Sequence, residues 1–247
     1  MGAVGASIAA GTLSSGLLER VRADALPIAD PAATETRQWV MLFDLRRCDG
    51  CRECIKACQK MHQLTTQQEW IKVYELRGVS GQPYFLPVTC QMCQAAPCTQ
   101  VCPVGATYHT PDGVVVVDQD VCIGCRMCMA ACPYGARVFN WDAPPAVPAM
   151  LRSSTPEFRV PQKQGTVGKC ANCVHRLRNA QLPACVEACA MEAIWVGDLT
   201  EDVATNGHDT VVLSEFLREN DVYRLKEELG TEPRVFYITG HGQDLEY

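Results

Sequence analysis

Sixteen cysteines in 247 residues fall into four groups of four, and their spacing constrains this chain more than any other feature. Cys48, Cys51, Cys54 and Cys58 read C-x2-C-x2-C-x3-C, and Cys122, Cys125, Cys128 and Cys132 repeat that spacing. Cys90, Cys93, Cys98 and Cys102 read C-x2-C-x4-C-x3-C, and Cys170, Cys173, Cys185 and Cys189 read C-x2-C-x11-C-x3-C. A unit that recurs four times is an internal repeat, and it sets the architecture. Thiols in such number serve disulfides, zinc or iron–sulfur clusters.

The spacing separates the three. A zinc site pairs two separated C-x2-C units in a tetrahedron, so a third Cys at x2 spacing is redundant. Disulfides would need each closely spaced group to meet another at a narrow sulfur geometry, and a Cys-Pro ending has no role there. Three thiolates two residues apart on a tight loop instead wrap three corners of a cubane. The fourth, three residues on, lies on the helix that follows and points away. In two-cluster ferredoxins that fourth Cys ligates the other cluster. Sixteen thiolates suffice for four [4Fe–4S] clusters. Zinc and disulfides remain the lesser alternatives.

Strand-like runs rich in Val, Ile and aromatics surround the groups: Trp39 to Leu45, Trp70 to Leu76, Val114 to Asp118, Ile194 to Val196 and Arg234 to Ile238. Pro103 and Pro133 follow the second and third groups, each with a Gly and an Ala close behind, and end a short helix. Ala143 to Pro161 is Pro-rich and reads as an extended surface connection, not a packed element. Ser214 to Gly230 has a helical pattern, with Ser214 and Asp221 as candidate caps and Gly230 as its stop.

At 47% hydrophobic and 20% charged the chain can bury a core. Its formal charge of −6, with no basic stretch, argues against a nucleic-acid partner. Beyond the N-terminus no run is long and apolar enough to span a bilayer, so any membrane attachment needs another subunit. Gly2 to Leu18 is uncharged and resembles the apolar part of an export signal without its basic start. It also resembles the second half of a twin-arginine signal; export is the leading reading and a flexible leader the alternative.

With these motifs in place, the chain resembles the four-cluster iron–sulfur subunits of molybdopterin oxidoreductases, such as the polysulfide, dimethyl sulfoxide and tetrathionate reductases. It looks equally like the related subunits that pair with NrfD-type membrane proteins. The resemblance runs through CDGCRECIKAC (48–58), CQMCQAAPCTQVCPVGA (90–106), DGVVVVDQDVCIGCRMCMAACPYGAR (112–137), KCANCVHR (169–176), LPACVEAC (182–189) and GTEPRVFYI (230–238). One departure is Ala190, where relatives often carry Pro after the last Cys.

The resemblance implies an α+β fold of two pseudo-symmetric ferredoxin-like βαβ-type modules, built from an interleaved chain. Residues 38–62 and 163–200 form one module and 63–142 the other. A leader (1–37), the connection (143–162) and a C-terminal helix–strand extension (201–247) complete the chain. It also implies crossed ligation. Cys48, Cys51, Cys54 and Cys189 hold one cluster, and Cys58, Cys170, Cys173 and Cys185 its partner. Cys90, Cys93, Cys98 and Cys132 hold a third, and Cys102, Cys122, Cys125 and Cys128 the fourth. Such clusters form a wire between a catalytic molybdopterin subunit and a quinone-reactive membrane subunit, NrfD-like or other, with the first-and-fourth half toward the catalytic side. The implied location is a membrane face, extracytoplasmic if the N-terminus is an export signal and cytoplasmic otherwise. A free polyferredoxin carrier and a zinc-stapled scaffold are the competing functions.

Other residues carry less. His62, His109 and His175 lie near the groups, but no group lacks a Cys that a His would replace, so they read as packing or surface residues. Arg46, Arg47, Arg52 and Lys56 flank the first group as solvated charge, or as a docking face. Trp141 and Trp195 read as core. No nucleophile–base pair, phosphate loop or paired carboxylates appear, so no substrate chemistry is expected within the chain.

Overall fold

The computed structural model describes residues 37–78 and 81–240. The leader and the export reading lie outside the described residues.

The fold centres on β1 (Trp39–Asp44), whose six residues are all buried. It pairs antiparallel with β10 (Ile194–Asp198) on one side and parallel with β14 (Val235–Ile238) on the other. Further out, β11 (Val203–Thr205) and β12 (Thr210–Val212) extend the β10 edge, and β13 (Val222–Tyr223) closes the β14 edge. Both faces of this sheet are covered, which is why β1 reads as unbroken apolar sequence instead of alternating. Trp39, Met41 and Phe43 enter the main core with Ile194, Val196, Val235 and Tyr237. Val40 and Leu42 face the other way, with Trp195 and with Leu213 of helix α6 (Leu213–Glu219).

Four two-stranded antiparallel pairs accompany the sheet, three of them hairpins. They are β2 (Lys72–Arg77) with β3 (Pro83–Val88), β4 (Thr107–His109) with β5 (Val115–Val117), β6 (Val138–Phe139) with β9 (Val167–Gly168), and β7 (Ser153–Thr155) with β8 (Phe158–Val160). Each cysteine group runs into a short helix. The first enters α1 (Glu53–His62), the second α2 (Pro97–Gln100) and the third α3 (Met127–Ala131). The fourth enters α4 (Val174–Leu177) and then α5 (Ala184–Glu187). Helix α1 packs on α5, and α2 packs on α3. The first and fourth groups therefore meet, as do the second and third.

Three expectations need correction. The 143–161 stretch is not merely an extended connection: it folds into a 3-10 turn (Ala149–Leu151) and the β7–β8 hairpin. Phe158 secures it, with its ring stacked 3.9 Å from that of His175 and 5.5 Å from that of His62. Burial of one aromatic gives a Pro-rich segment a fixed place. The helix expected over Ser214–Gly230 ends at Glu219. Val222 and Tyr223 instead pair with Ile238 and Tyr237, because an open sheet edge beside them offers hydrogen bonds and an aromatic partner. Ser214 is not the cap; its N–H and hydroxyl both donate to Asp202, at 2.7 and 2.6 Å. Gly230, at φ 63°, ends only the 3-10 turn Glu227–Leu229. Trp141 is 62% exposed, not core, and lies against Phe139 and the Arg126 guanidinium. Trp195 is buried as expected.

Candidate metal centres

The cysteine loops share a backbone device. In every group the residue before the second Cys has positive φ: Gly50 at 74°, Met92 at 47°, Gly124 at 71° and Asn172 at 54°. In the first and third groups a second such residue follows, Arg52 and Arg126, both at 62°. In the fourth group Cys173 follows Asn172 at φ 46°; left-handed positions of this kind turn backbone N–H groups to one side and suit an anion. Met92 and Asn172 adopt the conformation at a cost that glycine avoids, so the loop geometry is imposed by what it surrounds.

The N–H groups find sulfur. The Asn172 N–H donates to Cys170 Sγ at 3.3 Å and the Ala193 N–H to Cys189 Sγ at 3.4 Å. Cys102 shows the effect most clearly. Burial raises its pKa, yet the N–H groups of Thr107, Val104 and Ala106 together outweigh burial and hold the thiol below its usual value. Side chains near the thiols act in the same direction: Thr231 favours the Cys93 thiolate, Thr89 that of Cys170, and the Arg137 guanidinium those of Cys98 and Cys128.

All sixteen thiols are free. Burial, then neighbouring thiolates, push Cys54 and Cys93 up to about 12, and Cys58 well above the ordinary range. Burial comes first for Cys185 too, followed by the charges of Cys173, Cys170, Cys58 and Cys54, and its thiol is likewise raised well above the ordinary range. Buried thiols crowded in this way cannot ionise together without a cationic centre among them, and iron supplies that charge. A single ion does not fit. Four sulfurs on one zinc stand about 3.8 Å apart, from a Zn–S bond of about 2.3 Å. Among the described residues, no set of three or more His, Cys, Asp or Glu closes on a point in that way. The donor set suits a larger, thiolate-bound inorganic core.

In three of the four expected sets a thiol from another group joins three of one group; for Cys102 and Cys125 no such neighbour is seen among the described residues. Cys48, Cys51 and Cys54 of the first group share their surroundings with Cys189 of the fourth. Cys58 of the first lies with Cys170, Cys173 and Cys185 of the fourth. Cys90, Cys93 and Cys98 of the second lie with Cys132 of the third, around a cavity also lined by Tyr134 and Arg137. Cys122 and Cys128 neighbour each other. These sets also influence one another in series, through Cys54 to Cys58 and Cys185, then Cys170 to Cys90, then Cys98 to Cys128. Only Cys51 and Cys125 are exposed, one at each end of that series.

His62 is buried between Trp70 and Phe158, with Nε2 3.7 Å from Cys173 Sγ. Burial lowers its pKa to about 3, so it is a neutral packing residue. His175 stacks on Phe158, and His109 Nε2 meets the Cys93 carbonyl at 2.9 Å. Arg46 pairs with Asp44, Arg47 with Glu192 and Lys56 with Glu53. Sequence reasoning missed Arg137, Lys169, Thr89 and Thr231. Its only available signal for the first two was a cation set in apolar, Cys-rich sequence.

Two family models, both described as 4Fe-4S dicluster domains, match residues 47–106 and 82–147. A selenate reductase subunit of Mesobacillus selenatarsenatis is 38% identical over 82% of this chain and 72% of its own length. A tetrathionate reductase subunit of Salmonella typhimurium is 35% identical over 81% and 72%. The menaquinone reductase iron–sulfur cluster-binding subunit of Nitratidesulfovibrio vulgaris is 34% identical over 82% and 89%.

Proposed function

We propose, from the premise that this chain belongs to the 4Fe-4S dicluster iron–sulfur subunits of the dimethyl sulfoxide, selenate and tetrathionate reductase type, that it is the internal electron wire of such a complex. The observation that carries this reading is the assortment of thiols across groups. Cys48, Cys51, Cys54 and Cys189 hold one [4Fe–4S] cluster, and Cys58, Cys170, Cys173 and Cys185 the second. Cys90, Cys93, Cys98 and Cys132 hold the third, and Cys102, Cys122, Cys125 and Cys128 the fourth. Residues 38–62 with 163–200 form one ferredoxin-like module and 63–142 the other. When bound, the clusters supply one-electron redox chemistry. The chain's residues fix their order, exclude water and aim N–H donors at sulfur.

The two ends differ in chemistry. Charged pairs, Arg47 with Glu192 and Lys56 with Glu53, surround Cys51. Exposed apolar residues, Val121, Ile123 and Met127, flank Cys125 in sequence, beside Arg126 and the Asp120 pairs with Arg159 and Lys163. An apolar patch suits a lasting contact with a hydrophobic partner, and a charged one suits a polar protein face. The Cys125 end therefore meets a quinone-reactive membrane subunit, and the Cys51 end a molybdopterin catalytic subunit. Among the described residues no helix is long and apolar enough to cross a membrane. Attachment through that partner on the extracytoplasmic face rests on the export-like sequence Gly2 to Leu18.

Anaerobic purification with its neighbouring gene products tests this. The expected result is a brown complex with about sixteen iron atoms in this chain, about four per cubane. A colourless zinc protein would end the cluster reading. An active, monodisperse monomer would replace the wire with a free carrier.

A further inference from the structure

Of the described Lys and Arg side chains, only Lys169 and Arg137 are buried. Arg137 has thiolates of both the second and third groups beside it, Cys98 and Cys128. Lys169 stands at a different place, the crossing between the two halves. Its ammonium donates to the carbonyl of Val115, in β5, and to that of Cys170, at 2.7 Å, in the fourth group. Its charge reaches Cys170 on one side and Cys98 on the other. Cys170 is also the thiol that senses Cys90 across the halves.

No carboxylate among the described residues pairs with Lys169; both of its hydrogen-bond partners are neutral carbonyls. A buried ammonium without a counter-anion is costly. Its compensation lies in the thiolate-bound anions on either side. A fixed cation in a low-dielectric interior favours whichever state of its neighbours is more negative, which is the reduced one.

We infer that Lys169 sets the potential at the junction of the two cluster pairs, favouring the reduced state on both the Cys170 side and the Cys90 side. This rests on the ligand assignment proposed above. In the step across the junction one electron leaves one side and arrives at the other. No bond forms or breaks, and no proton moves. The Lys169 ammonium also offsets the repulsion between an arriving electron and one already on the far side. The end sites, at Cys51 and Cys125, lie further along the series from Lys169 than Cys170 and Cys98 do, and depend on it less. Lys169 is thus a positioning residue for charge.

The test compares wild-type, K169Q and K169R in the purified complex, by redox titration followed by EPR, after iron analysis. Glutamine keeps an N–H donor for the two carbonyls and loses the charge; arginine keeps both. K169Q should load fully and lower the midpoint potentials of two of the four clusters, and K169R should return them toward wild type. Full loading with all four potentials unchanged in K169Q overturns the inference alone. Loss of iron from K169Q overturns it as well, since a charge that only tunes potentials is not needed for assembly. Fewer than four clusters in the wild type would defeat the ligand assignment itself.

Discussion

Gly124 occupies the turn of the third cysteine loop at φ 71°, and a Cβ there would stand 2.1 Å from the Gly165 carbonyl oxygen. Gly105, at φ 65°, has nothing within 4 Å of the same position. Gly105→Ala should therefore cost only the left-handed strain, about 1–2 kcal/mol. Gly124→Ala should cost more, because backbone must move, and comparative thermal melts of the loaded protein would show it. Equal losses would mean that the Gly165 loop yields freely. Cys102 makes the second case at this scale. Although it stands in the second group, Cys102→Ser should alter the spectrum of the cluster held by Cys122, Cys125 and Cys128. EPR showing change only at the cluster of Cys90, Cys93 and Cys98 would reverse the assignment. The cysteines themselves were legible in sequence because ligand spacing is local. The positive φ at Met92 and Asn172 was not, because neither residue type announces it.

Short elements here depend on remote partners. Helix α6 has seven residues, too few to be stable alone, and its first turn is held by Asp202 from the turn before β11. Asp202→Ala should cost about 1 kcal/mol, as for loss of a helix cap. In a domain of this size that lowers the melting temperature by about 2–4 °C. The cluster spectra should stay unchanged, and a change in them would show that α6 bears on the cysteine loops. The sequence patterns located β1, β2, β5, β10 and β14 because Val, Ile and aromatic runs fit a half-buried pleat. They failed over 143–161 and 220–230, where Phe158 and Tyr223 follow partners distant in sequence.

Across the whole molecule, one carboxylate ties the halves together. Asp112, buried between β4 and β5, accepts from Arg178 at 2.9 and 3.0 Å, from Trp39 Nε1 at 3.3 Å and from the Thr110 hydroxyl at 2.5 Å. Trp39 begins β1 and Arg178 follows helix α4 in the fourth cysteine group, so the carboxylate joins segments far apart in the chain. Breaking a fully buried ion pair costs about 3–5 kcal/mol. Arg178 is about a third exposed and can recover water, so Asp112→Ala should cost less, about 2–3 kcal/mol. Chemical denaturation of the loaded chain would measure it. A loss under about 0.5 kcal/mol, the range of ordinary surface changes, would show that the halves do not rely on this tie.

By itself the sequence determined what the chain can carry. Thiol spacing along a loop fixes the chemistry of a ligand set, and it raised the expectation that the fourth Cys of a group serves a neighbouring set. Only the tertiary structure decided what stands between the ligand sets. It brought Lys169 to the crossing, left Cys51 and Cys125 at opposite exposed ends, and exposed apolar residues at the Cys125 end. The physical reason is range. Ligation is written in residues a few positions apart, whereas burial and the fields between buried charges depend on how distant segments pack.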